Sequence, residues 1–328
     1  FSQEFRIDGI IGERVTYVGG LYYYDQTLDN NTRLELGSTA NLLLTGGFTH
    51  GQLLGGQAVC DAVGMSAICD NPVFPDGGLA TNLSTQDQTS WAIFGQADID
   101  ITDKLIVTLG IRYLEEDKDM DVTFLESEFN VIWNAFTPLS PFVPDVENEK
   151  FEDEEWTGTA KLTYFFTDDF MTYLSYGRGY KSGGTNIDRI SPATGAPLLF
   201  DPETSDSYEL GFKGDFLEKR LRVNAALYRT DFDDFQANTF VGTGFVLQNA
   251  GKIRSEGFEL EVFALPASWL NLSAGLSYVD ATYDSFLGGS CIRTPFGSEP
   301  DRGEPSFPTT CDATGNIVGG TPEWSAYG

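Results

Sequence analysis

Trp91-Ala92-Ile93-Phe94-Gly95-Gln96-Ala97-Asp98-Ile99-Asp100-Ile101 is the stretch whose reading decides the fold. Its odd positions are Trp, Ile, Gly, Ala, Ile and Ile, and its even positions are Ala, Phe, Gln, Asp and Asp. Period-two alternation puts the two sets on opposite faces of a strand. The same pattern recurs on both sides. Leu105, Val107, Leu109, Ile111 and Tyr113 oppose Thr108, Gly110 and Arg112, and Trp156, Gly158, Ala160, Leu162 and Tyr164 oppose Thr157, Thr159, Lys161 and Thr163. Further along, Tyr208-Leu210-Phe212, Leu221-Val223-Ala225-Leu227, Phe258-Leu260-Val262 and Leu270-Leu272-Ala274-Leu276-Tyr278 each alternate with polar residues. The second face is rich in Gly, Ser, Thr, Asn and paired charges. A hydrated lumen tolerates that composition while the first face meets lipid, so the pattern predicts a transmembrane antiparallel β-barrel in an all-β chain.

The connections support this reading. Short turns at Thr102-Asp103-Lys104, Thr167-Asp168-Asp169, Glu218-Lys219-Arg220 and Pro266-Ala267-Ser268 alternate with long loops at 37–85, 126–150, 187–202 and 286–321, with a shorter one near Gly242-Thr243-Gly244. Short turns on one side and long loops on the other are the outer-membrane barrel arrangement. Phe165, Phe166, Phe170, Tyr173, Phe216 and Trp269 crowd the short-turn side and read as an interfacial girdle. About eleven strands are expected: 1–9, 14–36, 86–101, 105–125, 151–166, 170–186, 203–217, 221–240, 245–265, 269–285 and a stub from Pro322. Single-chain bacterial barrels are normally even-numbered and closed, and both ends of the chain fall within strand-like segments. The chain is therefore expected to be the interior of a larger barrel.

Composition narrows the classes further. Aromatics make up 13% of the 328 residues and there are 36 glycines, which disfavours both a helical protein and a disordered one. A formal net charge of −29 would repel a nucleic acid, so no such partner is expected. No run of about 18 apolar residues offers a membrane-spanning helix. Cys60 with Cys69 and Cys291 with Cys311 form two local pairs inside polar loops, which suggests disulfides and an oxidising compartment. Their spacing, with His50 as the lone histidine, does not suit a zinc site.

Four stretches carry a family resemblance. They are Tyr176-Gly177-Arg178-Gly179-Tyr180-Lys181-Ser182-Gly183-Gly184-Thr185-Asn186, Asp201–Lys213 (DPETSDSYELGFK), Asn249–Glu261 (NAGKIRSEGFELE) and Pro322-Glu323-Trp324-Ser325. Together with Phe1–Arg6 they resemble, in order and spacing, the barrel of TonB-dependent receptors. The resemblance implies a 22-stranded barrel around a plug, with residues 1–328 as about strands 8–18 and the plug with its TonB box lying outside this sequence. It further implies the bacterial outer membrane as location, outer-membrane lipid as surroundings, a TonB–ExbB–ExbD complex as partner acting through the plug, and a small-molecule ligand. That cargo would be a scarce nutrient such as a ferric siderophore or similar iron complex, imported actively. The alternatives are a passive porin-like channel, or a surface receptor for an oligosaccharide or vitamin working with a partner lipoprotein.

Candidate residues follow. Glu203, Glu256, Glu259 and Glu261 are expected to pair with Arg178, Lys181, Lys213 and Arg254 inside the lumen, either holding wall to plug or meeting substrate. In loop 286–321, Arg293, Phe296, Arg302 and Phe307 are candidates for grasping a chelate or polyol, or for packing the loop. No catalytic motif is present, so no enzyme is expected, and no resident cofactor. Asp117, Asp119 and Asp121, and the group Asp145, Glu147, Glu149, Glu152, Asp153, Glu154 and Glu155, are either a solvated acidic rim or binders of Ca²⁺.

Overall fold

The computed structural model describes residues 1–35, 37–39, 42, 47, 49, 51–52, 55–62, 66, 69–72, 79–126, 146–186, 198–241, 244–286, 310–311 and 317–319. Ten strands form one antiparallel sheet. They are β1 (Ser2–Ile11), β2 (Val15–Glu35), β3 (Leu79–Thr102), β4 (Leu105–Glu126), β5 (Val146–Thr167), β6 (Phe170–Lys181), β9 (Glu203–Phe216), β10 (Leu221–Asp233), β13 (Gly251–Ala267) and β14 (Leu270–Phe286). Each pairs with its neighbour in chain order. Three small two-stranded pieces lie outside this wall: β7 (Gly184–Thr185) with β8 (Leu199–Phe200), β11 (Gln236–Val241) with β12 (Gly244–Asn249), and β15 (Thr310–Cys311) with β16 (Ile317–Gly319). One short helix, α1 (Gln57–Ala62), lies between β2 and β3.

The hairpin ends are built by local chemistry. Between β3 and β4, Thr102 Oγ1 accepts from the amides of Lys104 and Leu105 at 3.2 and 3.0 Å, which tightens the turn. Between β9 and β10, Leu217, Glu218 and Lys219 all carry positive φ (52°, 57° and 65°). All five short turns, including the one at 12–14, lie on one side of the sheet, as the sequence predicts.

The strands run further than expected at the other side. β3 begins at Leu79 and not near 86, and β5 begins at Val146 and not near 151, so the loops expected at 37–85 and 126–150 are shorter. At about 3.3 Å per residue the 24 residues of β3 extend about 80 Å, far more than a tilted strand needs to cross a bilayer, so its outer half stands clear. The strands expected at 221–240 and 245–265 are each broken. Asp234 (φ 53°) and Gly251 (φ 103°) take left-handed conformations, and mutual hydrogen bonds link Phe235 with Gly251 and Ala250. The β11–β12 ribbon thereby swings off the wall as a unit of its own. Of the eleven strands anticipated, ten are in the sheet, and the stub from Pro322 lies outside the described residues.

A single-layer wall has no ordinary core. Most of the buried apolar side chains lie toward the long-loop end, among them Met120, Val122, Phe151, Val246, Ala250 and Ile253, and Glu203 and Gln236 are buried there too.

Candidate functional site

The register joins the apolar faces of separate strands into continuous rows. One row crosses all ten strands: Ile11, Val15, Ile99, Val107, Leu162, Leu174, Leu210, Leu227, Phe258 and Tyr278. It climbs steadily away from the short turns. Val15 adjoins its turn, Ile99 and Val107 lie three and two residues from Thr102 and Leu105, and Phe258 and Tyr278 lie nine and eight from Ala267 and Leu270. A row of direct partners gains height from strand to strand in this way when the strands are tilted and staggered, as in a barrel wall.

Two aromatic bands bound the belt. Near the short turns, Tyr164, Phe166, Phe170, Phe212 and Phe216 form a chain of ring contacts at 4.9–6.2 Å. Near the long loops, Trp91 meets Tyr113 edge-on at 5.5 Å, Tyr113 meets Trp156 at a tilt at 4.9 Å, and Tyr176 meets Tyr208 at 5.2 Å. Trp156, although apolar, is 56% exposed. Trp156 and Phe166 are ten residues apart, about 34 Å of strand, or about 26 Å along the normal at a tilt of about 40°. That is the height of an outer-membrane apolar band. Two rings assigned to the girdle from sequence do not belong to it. Phe165 and Tyr173 have the opposite parity and face inward, because being near a turn says nothing about face.

Beyond the upper aromatic band the same outward rows turn charged: Tyr176–Tyr208 continues to Arg229, Glu256 and Asp280, and Gly158 is followed by Arg178, Asp206, Asp231 and Arg254. This corrects the lumen assignment for Arg178, Arg254 and Glu256. They stand on the outward face above the belt, where Arg178 reaches Glu155 (3.3 Å) and Asp206 (3.6 Å), and Arg254 reaches Asp231 (2.8 Å) and Asp284 (3.2 Å). Asp117, Asp119 and Asp121 also point outward and are exposed, with Asp119 held by Lys150 at 3.0 Å. Among the described residues no acidic, histidine or cysteine group converges in a metal-holding arrangement.

The inward face carries Lys181, Glu203, Lys213, Glu259 and Glu261, as the alternation requires. Only Lys181 and Glu203 of this set form the expected ion pair, at 3.7 Å. Lys213 leans instead on Tyr173, 5.9 Å from the ring centroid, and Lys161 covers the same ring at 4.8 Å. Tyr173 donates to Glu209 and lies flat over Gly211, where an added Cβ would come within 2.6 Å of the ring. Glu261 accepts from Asn224 at 3.3 Å.

At the long-loop end of this face the segments singled out by their resemblance converge. Lys118 Nζ contacts Glu116 at 2.6 Å, and donates to Ser182 Oγ and the Gly183 carbonyl, both at 2.7 Å. Ser182 Oγ and Gln88 Nε2 donate to Glu116 at 2.7 and 3.0 Å. Buried Gln236 donates its amide N–H to Glu203 (2.8 Å) and its side-chain N–H groups to the carbonyls of Ser182 (2.9 Å) and Asp201 (3.1 Å). Asn186 exchanges two 2.8 Å hydrogen bonds with Leu247, and Asn249 Nδ2 donates to Asp201 and Asp234 at 2.8 and 2.7 Å. Side-chain amides therefore stand in for strand pairing where three loop roots meet. Glu116, Lys118, Gln88 and Gln236 were not singled out from sequence. The available signal was a charge on the lumen parity at the end of a strand too long for the bilayer.

The family model for the β-barrel of TonB-dependent receptors matches residues 3–327. This chain belongs to that family. Among curated relatives, the probable TonB-dependent siderophore receptor PiuA of Acinetobacter baumannii is 26% identical over 196 residues, covering 58% of this chain and 24% of its own length. The ferrichrome outer membrane transporter/phage receptor of Escherichia coli K12 is 24% identical over 219 residues, covering 66% and 24%. The chain thus spans about a quarter of the curated relatives it matches. In fold, the ferric yersiniabactin uptake receptor FyuA of Yersinia pestis aligns with a TM-score of 0.61 at 20% identity, covering 87% of this chain and 36% of that one. The siderophore receptor PiuA of Acinetobacter baumannii gives 0.56 at 18%, covering 89% and 40%.

Barrels of this family reside in the bacterial outer membrane, which accounts for the belt and its two aromatic bands. The compartment also suits the receptor barrel's Cys60–Cys69 disulfide, whose sulfurs are buried within the loop above β2 and β3. Beside it, Asp61 is held below the usual carboxylate range by hydrogen bonds from Ser66 and Gln57. Cys291 and the ligand-loop candidates Arg293, Phe296, Arg302 and Phe307 lie outside the described residues, as does the side chain of Cys311.

Proposed function

We propose that this receptor barrel forms the middle of the wall through which a ferric siderophore or similar iron complex is imported across the outer membrane. The import would be powered through TonB, with ExbB and ExbD, acting on a plug. The observation that carries the reading is the two-faced ten-strand sheet itself, apolar outward and charged inward, in a chain of the TonB-dependent receptor family. The relatives' names, which speak of siderophore, pyoverdine and ferrichrome receptors, favour an iron chelate over a sugar or vitamin. The inward charges suit a polar cargo.

The test is growth of a strain lacking the full-length receptor under iron limitation, supplied with single ferric siderophores. Loss of growth on one chelate, reproduced by removing TonB, supports active import. Uptake that persists without TonB points to a passive channel, and a growth defect confined to an oligosaccharide or vitamin points to the surface-receptor alternative.

A further inference from the structure

Arg112 stands apart from the other arginines. It lies on the inward face of β4, opposite Phe94 and Thr157, within the height of the apolar belt. Its guanidinium carbon is 5.5 Å from the centroid of Tyr22 and 5.8 Å from that of Phe94. Glycine at position 20 makes room for this arrangement, since a Cβ there would fall 2.6 Å from the Phe94 ring. The rings fix and partly dehydrate the guanidinium without satisfying its five N–H donors.

The other arginines with described side chains are all satisfied. Arg6, Arg14, Arg178, Arg222, Arg229 and Arg254 each meet a carboxylate, and Arg220 donates to the carbonyls of Leu265 and Pro266. Arg112 has no hydrogen-bond or ion-pair partner among the described residues. In a chain with 49 acidic and 20 basic residues, that is the opposite of what chance encounter would give. Lys161 and Lys213, the nearest analogues, share their ring with Glu209, whereas the Arg112 rings bring no acid with them.

We propose that Arg112, walled by Tyr22 and Phe94, is a binding site for a carboxylate that enters from the lumen. A planar guanidinium on aromatic walls is preorganised for bidentate capture of such a group. The carboxylate has two sources, a protein segment packed inside the barrel or a transported chelate. The site follows from the inward face alone and does not depend on which cargo the receptor imports.

The experiment compares the ligand-free full-length receptor with Arg112→Met, which keeps the stem and ring contact, and with Arg112→Lys, which keeps the charge but not the fork. Amide exchange of the segment inside the barrel and the dissociation constant for ferric citrate, whose free carboxylates serve as the probe, are both measured. A loss of one charge-assisted pair corresponds to about 10- to 100-fold. Faster exchange of that size in Arg112→Met, partly recovered in Arg112→Lys, identifies a protein carboxylate. Unchanged exchange with ferric citrate weakened by that factor identifies the chelate. No change in either overturns the site. Should the variants not assemble, an acceptor oxygen within about 3 Å of the guanidinium in the native full-length receptor decides for it, and a guanidinium facing only water decides against it.

Discussion

Glu116 and Lys118 sit two residues apart on one face of β4, and their side chains are only 10% exposed. Such a pair is stable only because Ser182, Gly183 and Gln88 complete its hydrogen bonds. Replacing Lys118 by Met leaves Glu116 charged and without its cation, at a cost of about 3 kcal/mol. Replacing Glu116 by Gln in the same protein removes the stranded charge and should restore all but about 1 kcal/mol. Thermal melting of the folded barrel, with amide exchange over Ser182–Asn186, measures both. Equal destabilisation by the single and double substitutions would show that the contact with Phe151, whose ring centroid lies 5.5 Å from Lys118 Nζ, and not the charge pair, is what matters there. At the same scale, the Cys60–Cys69 link closes a short loop and should stabilise it by about 3 kcal/mol. The double Cys60→Ser, Cys69→Ser variant is therefore expected to be cut faster by protease between β2 and β3 while the barrel melts unchanged. A lowered barrel melting temperature would mean that this loop braces the wall.

At the scale of the element, parity decides what a strand tolerates. Leu210 lies on β9 in the row that crosses all ten strands, with Leu174 and Leu227 on either side. Leu210→Arg puts a charge into lipid near mid-belt and should cost about 2–4 kcal/mol. Ser277 on β14 faces inward opposite Glu259, so Ser277→Arg is expected to cost well under 1 kcal/mol. Equilibrium unfolding from lipid vesicles ranks the two. Similar costs would mean that the two faces do not differ in environment, and a reversed ranking would mean that the outward and inward faces have been exchanged. The element scale is also where the sequence was most readable, because all seven apolar stretches picked out by alternation lie on one outward face. Proximity to a turn was a poorer guide, and it misplaced Phe165 and Tyr173. For charges, sequence neighbourhood is a poorer guide than parity, and Arg178, Arg254 and Glu256 stand on the outward rows beside neighbours that face the lumen.

For the whole molecule, the governing fact is that β1 and β14 each have an unpaired edge among the described residues. Open edges leave backbone N–H and C=O groups unsatisfied, at several kcal/mol each in hydrocarbon. A truncation to Ser2–Phe286 is accordingly expected to aggregate or to associate edge to edge, and to give no heat-resistant monomeric barrel on a gel, whereas the full-length receptor gives one. A stable inserted monomer from the truncation would show that these edges can close on each other.

The sequence by itself determined the all-β wall, its lipid face and the side that bears the loops. These are local consequences of period-two alternation and turn chemistry, and each can be read within about ten residues. Only the tertiary structure decided the rest. The single belt across ten strands depends on the stagger between neighbours, which no one strand encodes. The breaks at Asp234 and Gly251 depend on backbone angles that the flanking alternation masks. The meeting of Lys118, Ser182, Gln236 and Asn186 joins residues 50 or more positions apart. The isolation of Arg112 is visible only once the other described arginines have been given their partners in space.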